Sequence, residues 1–180
     1  MSRRNWINIH LYLAAFFAPG ILLMALSGGL YLLEIKGTTT DTRVTLPAGT
    51  VLDLKSPSLE ADTRRILQNA GIDHDFEYLR TGGNTTVTRP TSRTSYQFSV
   101  AGDGSVSLTR SEPDLIKSLV ELHKGHGPGL FKRLQQLMAL GLLIVVISGL
   151  ILGIQSPGLR KISLILTASG TAIFVILGSL

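Results

Sequence analysis

The chain has 180 residues, no cysteine and a formal net charge of +5. The lack of cysteine excludes disulfides, thiolate metal sites and a cysteine nucleophile. Four of the cations flank long apolar stretches: Arg3, Arg4, Arg160 and Lys161. Membrane topology explains basic residues in such places, so the positive charge does not indicate a nucleic-acid-binding protein.

The acidic residues divide the chain into a polar centre and two apolar flanks. All 12 of them lie between Glu34 and Glu121. We therefore predict an N-terminal region with a first transmembrane helix at residues 1–35, an extramembrane domain at 36–130, and two further transmembrane helices at 131–180. The central segment is long enough to bury a modest core.

The first apolar stretch, residues 11–33, contains no charged side chain. A helix rises about 1.5 Å per residue, so this stretch can cross the roughly 30 Å of hydrocarbon in a bilayer. The basic residues before it also fit a cleaved signal peptide, but the length favours a transmembrane helix that is retained. His10 precedes the stretch and is either a polar residue at the membrane surface or an axial ligand.

The beginning of the central segment predicts a linker, a short strand and a helix. Threonine, proline and glycine are frequent in residues 37–56, and a short strand is expected near 42–46. Ser56-Pro57 then opens a helix, because proline suits a first turn and acidic residues follow it there. Gly71 is the expected end of this helix.

The rest of the central segment predicts a sheet. From residue 76 to 110, apolar and polar residues alternate as they do in half-buried strands. Turn sequences at 82–84 and 102–104 predict hairpins. A further helix is expected at 114–123, beginning at Glu112-Pro113. The domain is therefore predicted to be α+β, with one helix followed by a three- or four-stranded antiparallel sheet.

A glycine-rich turn leads into the second apolar stretch, residues 134–154. In it, Gly149 and Gly153 form a G-x-x-x-G pair, a spacing that lets another helix approach closely. Gly28 offers a similar small surface on the first helix. We predict these three glycines as helix-packing positions.

Residues 162–180 supply a third apolar span, so we predict a membrane α-helical protein with three transmembrane helices. The basic residues before the first span and between the second and third then share one side, which the positive-inside rule makes the cytoplasm. The N-terminus is cytoplasmic and the central domain periplasmic in this topology, in a bacterial inner membrane. Three basic residues disagree with this rule, because they lie on the outer side, where few are expected: Lys124, Lys132 and Arg133.

Two sequence patterns combine a histidine with an apolar helix. The first is Asn5-Trp6-x-x-x-His10 with a helix ending in Ser27-Gly28-Gly29-Leu30-Tyr31. The second is Leu122-His123-x-Gly125 with a helix closing on Ser148-Gly149-Leu150-Ile151-Leu152-Gly153. In their order and spacing, the two patterns resemble those of PepSY-associated transmembrane proteins.

The resemblance implies that the α+β domain is PepSY-like and is inserted between helices 1 and 2. Larger members of the family are inner-membrane proteins, some linked to siderophore iron reduction and haem binding. Others are regulators or accessory factors, and PepSY domains are associated with inhibition of peptidases. This chain departs from the large members, because it has three predicted spans and only four histidines.

The histidines are the candidate ligands. We predict His10, His123 and His126 as ligands of a b-type haem, and His123, His126 and His74 as ligands of a metal ion. In the predicted topology His10 is separated from the other haem candidates by about 30 Å of bilayer, so one haem cannot bridge them. A haem would need a second copy or another subunit. The alternative is that His123 and His126 are polar side chains at the lipid headgroups.

The chain carries no motif of a serine hydrolase, zinc protease or nucleotide-binding protein. We therefore expect a non-catalytic accessory or docking subunit of a respiratory or metal-handling membrane complex. Its partners are the lipid bilayer and either other membrane subunits or a second copy, bound through small-residue helix faces. One alternative is a haem-binding redox protein in ferric-siderophore reduction, and another is a regulator of a periplasmic peptidase.

Overall fold

The structure is a computed structural model that describes residues 2–179. The helices are α1 (Arg3–Leu32), α2 (Leu59–Asn69), α3 (Leu115–His123), α4 (Gly129–Gln155) and α5 (Arg160–Gly178). The strands are β1 (Thr39–Val44), β2 (Tyr78–Gly82), β3 (Thr85–Arg89), β4 (Ser95–Val100) and β5 (Val106–Pro113).

The chain divides into two compact units. The first contains the residues up to Leu22 together with those from Gln135 onwards, and the second is Leu23–Leu134. We call them the helical unit and the sheet unit. The divisions fall inside α1 and α4, whereas the predicted domain boundaries, 35/36 and 130/131, fall near the ends of these helices.

Three helices are long and apolar enough to cross a membrane: α1 with 30 residues, α4 with 27 and α5 with 19. They coincide with the three apolar stretches of the sequence, so the prediction of three such helices is confirmed. The chain therefore fits a multi-pass membrane protein. The predicted end of the third span, Leu180, lies outside the described residues.

Helices α1 and α4 run antiparallel within the helical unit. The side chain of His10 contacts Gly149, that of Phe17 contacts Gly141, and Gly20 contacts Met138. Residue numbers rise along α1 as they fall along α4, which fixes the antiparallel direction. Glycine at these points removes the Cβ that would otherwise collide with the side chain opposite.

The G-x-x-x-G glycines of α4 contact two different helices. Gly149 lies against His10 of α1, and Gly153 lies against Ser163 of α5, whose Oγ would be 2.6 Å from an added Cβ. The third predicted packing position, Gly28, lies against His123 in the sheet unit. All three predicted glycines thus stand where another part of the same chain approaches closely.

The sheet has five antiparallel strands in the order β1-β5-β4-β3-β2. The sequence predicted three or four strands after the helix, and four follow it. The predicted sheet is nevertheless one strand short, because β1 also joins it. β1 precedes the helix in the chain but pairs with β5 from Thr39↔Pro113 to Val44↔Leu108. Such a pairing joins residues far apart in sequence, and β1 alone carries no signal of its partner.

The start of α3 also differs from the prediction. Glu112 and Pro113 belong to β5 and do not open the helix. The helix begins after Asp114, whose side chain accepts a hydrogen bond from the Lys117 N–H at 2.6 Å. Asp114 also accepts from the Thr38 N–H at 2.8 Å, so this one carboxylate both caps α3 and binds the chain entering β1.

The core of the sheet unit lies between α2 and the sheet. Its buried apolar residues are Leu52, Ile66, Leu67, Phe76, Tyr96, Phe98 and Leu108. The face of α2 that carries Ile66 and Leu67 is buried, as its helical periodicity predicts. The helix gives way to Gly71, whose φ of +72° favours glycine, so the predicted helix end is confirmed.

Candidate functional site

His10 binds α4 within the helical unit. Its Nδ1 lies 3.1 Å from the carbonyl oxygen of Val145 and 3.0 Å from the hydroxyl oxygen of Ser148. A carbonyl oxygen only accepts, so Nδ1 carries the proton and, in the neutral ring, Nε2 holds the lone pair. Gly149 gives the ring its space, since a Cβ there would be 3.2 Å from Cε1.

His123 makes a similar contact within the sheet unit. Its Nδ1 lies 3.3 Å from the Ser27 hydroxyl oxygen. The Ser27 hydroxyl donates its hydrogen to the Leu23 carbonyl at 2.7 Å, so Ser27 accepts from Nδ1 and Nε2 of His123 again holds the lone pair. The ring lies over Gly28, where a Cβ would be 2.8 Å from Cε1.

These two contacts, which we call the His–Ser pairs, share one local arrangement. In each, the Nδ1 of a histidine binds a helix serine that is followed by glycine. Both serines, Ser27 and Ser148, are 0% exposed. In both rings the hydrogen bond is made by Nδ1, so in the neutral ring Nε2 keeps its lone pair. The two pairs lie in different compact units.

Sequence reasoning named both histidines but missed the serines they bind. The signal was present, because each apolar helix contains a Ser-Gly dipeptide, and hydroxyls are scarce among their apolar residues. Each serine hydroxyl donates to a carbonyl of its own helix, and its oxygen can still accept a hydrogen bond from a histidine.

Glu121 forms the centre of a polar network at the end of α3. Its side chain is 7% exposed. The carboxylate accepts from the Thr91 hydroxyl at 2.7 Å, from His126 Nδ1 at 2.7 Å and from Lys124 Nζ at 3.0 Å. Arg89 lies 3.7 Å away. Burial raises the pKa of Glu121, but these hydrogen bonds outweigh it and lower the pKa to about 2.

Gly125 brings His126 back to Glu121. Its φ of +75° is in the left-handed region that favours glycine. The His126 N–H donates to the Glu121 carbonyl at 2.9 Å and the Gly125 N–H to the Leu122 carbonyl at 3.0 Å, the two bonds of a Schellman motif. The backbone turn and the side-chain bond therefore hold His126 on the same residue.

His74 differs from the other three histidines. It is bonded through Nε2, to the Thr88 hydroxyl at 3.2 Å, and its ring centroid lies 4.7 Å from that of Tyr96. Burial, with a smaller contribution from Arg93, lowers the pKa of His74 and favours a neutral ring. We interpret His74 as part of the core packing.

The predicted metal ligands have three separate partners. His74 binds Thr88, His123 binds Ser27 and His126 binds Glu121. Within residues 2–179, no group of three or more His, Asp or Glu side chains is placed to hold a metal ion. The metal site therefore stays a prediction that no cluster supports.

We expect the stability of the sheet unit to decrease in acid because of Glu121. Its pKa is lower in the folded chain than its ordinary value of 4.5, so its contribution is fully present above pH 4.5 and is lost as the pH falls towards 2. The loss is on the order of 3 kcal/mol. Urea denaturation between about pH 6 and pH 2 measures it.

The control for this experiment is Glu34, a carboxylate that lies outside the hydrogen-bond network around Glu121. Glu121→Gln should lose stability at neutral pH and show a flatter profile in acid, whereas Glu34→Gln, whose side chain is 85% exposed, should follow the wild type. A Glu121→Gln profile parallel to that of the wild type would contradict the lowered pKa.

The chain matches no model of a known protein family, no curated protein and no solved structure.

Proposed function

We propose that the chain is a multi-pass subunit of a bacterial inner-membrane complex and that it binds partner helices without carrying out catalysis. What supports this is how little the apolar helices bury. In the described parts of α1, α4 and α5, the buried residues are Ser27, Gly141 and Ser148. None of these is a large apolar side chain, so the helix faces remain open to lipid or to other helices.

The third helix is the clearest candidate for such a contact. No described residue of α5 is buried. Its middle contains Ala168, Gly170 and Ala172, small residues of the type that membrane helices use to approach each other. A Cβ at Gly170 would have no heavy atom within 4 Å, so the chain itself leaves this face open.

The topology and the family also belong to this proposal. The basic residues before α1 and at the start of α5 favour a cytoplasmic side for both, and therefore a periplasmic sheet unit. The order of the histidine patterns favours a PepSY-like identity for that unit. A role as docking subunit of a respiratory or metal-handling complex follows from the resemblance together with the open helix faces.

Single cysteines test the topology, because the chain has none of its own. We expect Gly102→Cys, in the β4–β5 turn, to react with a membrane-impermeant maleimide from the periplasm. Gly158→Cys, in the α4–α5 turn, should react only after the inner membrane is opened. The two positions are matched, since neither glycine has a neighbouring atom within 4 Å of an added Cβ. The reverse labelling pattern would contradict the orientation.

Native mass spectrometry of the protein in mild detergent tests the assembly. We expect particles heavier than one 19.4 kDa chain. Gly170→Leu should release single chains, because a bulky side chain prevents close approach of another helix. Gly178→Leu, at the end of the same helix and also in open space, should leave the assembly intact. Single chains from wild-type membranes would contradict the proposal.

The second candidate function is a haem-binding redox protein in ferric-siderophore reduction. It is favoured by the ring nitrogens: His10, His123 and His126 are each held through Nδ1, whereas His74 is held through Nε2. The three predicted haem ligands thus share the orientation that a metal-ligating imidazole needs. If bound, a haem would supply one-electron chemistry, and a histidine of one chain together with a histidine of a second copy would hold it.

A visible absorption spectrum distinguishes this candidate. If it is right, the protein purified from haem-supplemented cells has a Soret band. His10→Ala should abolish the haem bound at that pair, and Ser148→Ala should weaken haem affinity about 10- to 100-fold, because it removes a group that orients the ring. His74→Gln is the matched control and should keep the band. A wild-type protein that binds no added haemin would exclude this function.

A further inference from the structure

A pocket lined mainly by basic side chains lies beside Glu121 in the sheet unit. Its volume is about 460 Å³, and its lining is Tyr78, Arg80, Arg89, Lys124, Gly125, His126 and Lys132. Four of these side chains carry a fixed positive charge, and the lining contains no carboxylate. We propose that this cationic pocket binds a phosphate group, presented either by a lipid headgroup or by a soluble phosphate ester.

Four structural elements bring the cations together. In the β2–β3 register Tyr78 lies opposite Arg89, and Arg80 lies two residues along, so all three occupy one face of the sheet. The Schellman turn after α3 contributes Lys124, and the first turn of α4 contributes Lys132. The site is therefore built by the tertiary fold, and not by a run of basic residues in the sequence.

The positive charge in the pocket is only partly balanced. Glu121 is shared among Lys124, His126 and Arg89, and Lys117 of α3 lies 3.5 Å from the same carboxylate. Within the described residues, the side chains of Arg80 and Lys132 form no ion pair and no hydrogen bond. Like charges gathered around one opening repel each other, and an anion in the pocket removes that cost.

One N–H donor of the Arg89 guanidinium group has no hydrogen-bond partner in the described chain. Its Nη1 donates to the Thr91 hydroxyl at 2.7 Å, but its Nε is buried without a hydrogen-bond partner in the described chain. An unsatisfied buried donor is costly. The guanidinium group suits phosphate in particular, because its parallel N–H groups match two oxygens of the same anion.

The ligand is distinguished from a simple anion by charge and by size. Several cations around one space favour a group with several acceptor oxygens. The volume exceeds that of a phosphate ion and lies within the range of small-molecule sites, so it leaves room for the group esterified to it. The N-terminus of α4 is not the binding element, since the Gly129 N–H is already bound by Glu77 at 2.9 Å and 3.0 Å.

The pocket also accounts for two of the three cations that the topology left unexplained. Lys124 and Lys132 lie on the side that the positive-inside rule expects to be poor in basic residues. Their place in the lining gives them a role in binding. This inference stands independently of the proposed docking function, because it uses only contacts inside the sheet unit.

The test compares two double variants of the full-length protein. Arg80→Gln with Lys132→Gln removes the two unpaired cations of the pocket. Arg43→Gln with Lys55→Gln removes the same kinds of charge at exposed positions outside it. None of the four side chains has an ion pair within the described residues, so both variants are expected to fold, which urea denaturation checks.

Two probes separate the sources of the phosphate group. Inorganic phosphate is titrated calorimetrically into the protein in a neutral detergent. In parallel, nanodiscs of phosphatidylglycerol are compared with nanodiscs of phosphatidylcholine, and the lipid retained by the protein is counted by native mass spectrometry. Binding of phosphate indicates a soluble ester, and selective retention of phosphatidylglycerol alone indicates a headgroup.

The pocket variant should weaken whichever binding is found by about tenfold or more, which corresponds to about 1.4 kcal/mol, because it removes two of the charges that line the pocket. The control variant should stay within about twofold of the wild type. If neither probe binds, or if the two variants lose affinity equally, the pocket does not bind phosphate and the proposal is wrong.

Discussion

Two serine hydroxyls lie fully buried in helices that are otherwise almost entirely apolar. Each donates to a carbonyl of its own helix, Ser27 to Leu23 and Ser148 to Val145. Each also meets the Nδ1 of a histidine from elsewhere in the chain. The hydrocarbon core of a membrane contains no water that could replace these hydrogen-bond partners. The contacts between the serines and the histidines therefore restrict how the helices can pack. They also favour the tautomer with the proton on Nδ1 and the lone pair on Nε2 in both rings.

The sheet unit contains a polar cluster in which charged side chains from several elements converge. Around Glu121, one buried carboxylate is surrounded by more positive charge than it can balance. The low pKa of Glu121 and the uncompensated cations of the pocket have the same cause, which is the convergence of basic side chains from separate elements. A network of this kind stabilises the end of α3 and at the same time leaves a surface suited to an anion.

Local chemistry in the sequence predicted most of the secondary structure. The three apolar helices follow from long stretches without charge, and the end of α2 follows from Gly71. The predictions that failed depend on contacts between residues that are far apart in the sequence. β1 could not be assigned to the sheet because its partner β5 lies about 70 positions further along the chain, and Glu112-Pro113 was interpreted as a helix start although this pairing extends β5.

The same limit applies to the candidate sites. The histidines and the helix glycines could be named, since ionisable and very small residues stand out in apolar segments. Their partners could not, because His10 and Ser148 are 138 positions apart and His123 and Ser27 are 96 apart. The cationic pocket was missed for a similar reason: its members are scattered from Tyr78 to Lys132, and only the folded sheet and turns bring them together.

The outermost strands, β1 and β2, have a further consequence. The mostly exposed β1 has the sequence TTDTRV, and the centre of β2 carries Arg80. Charge on both open borders discourages the sheets of neighbouring molecules from joining edge to edge.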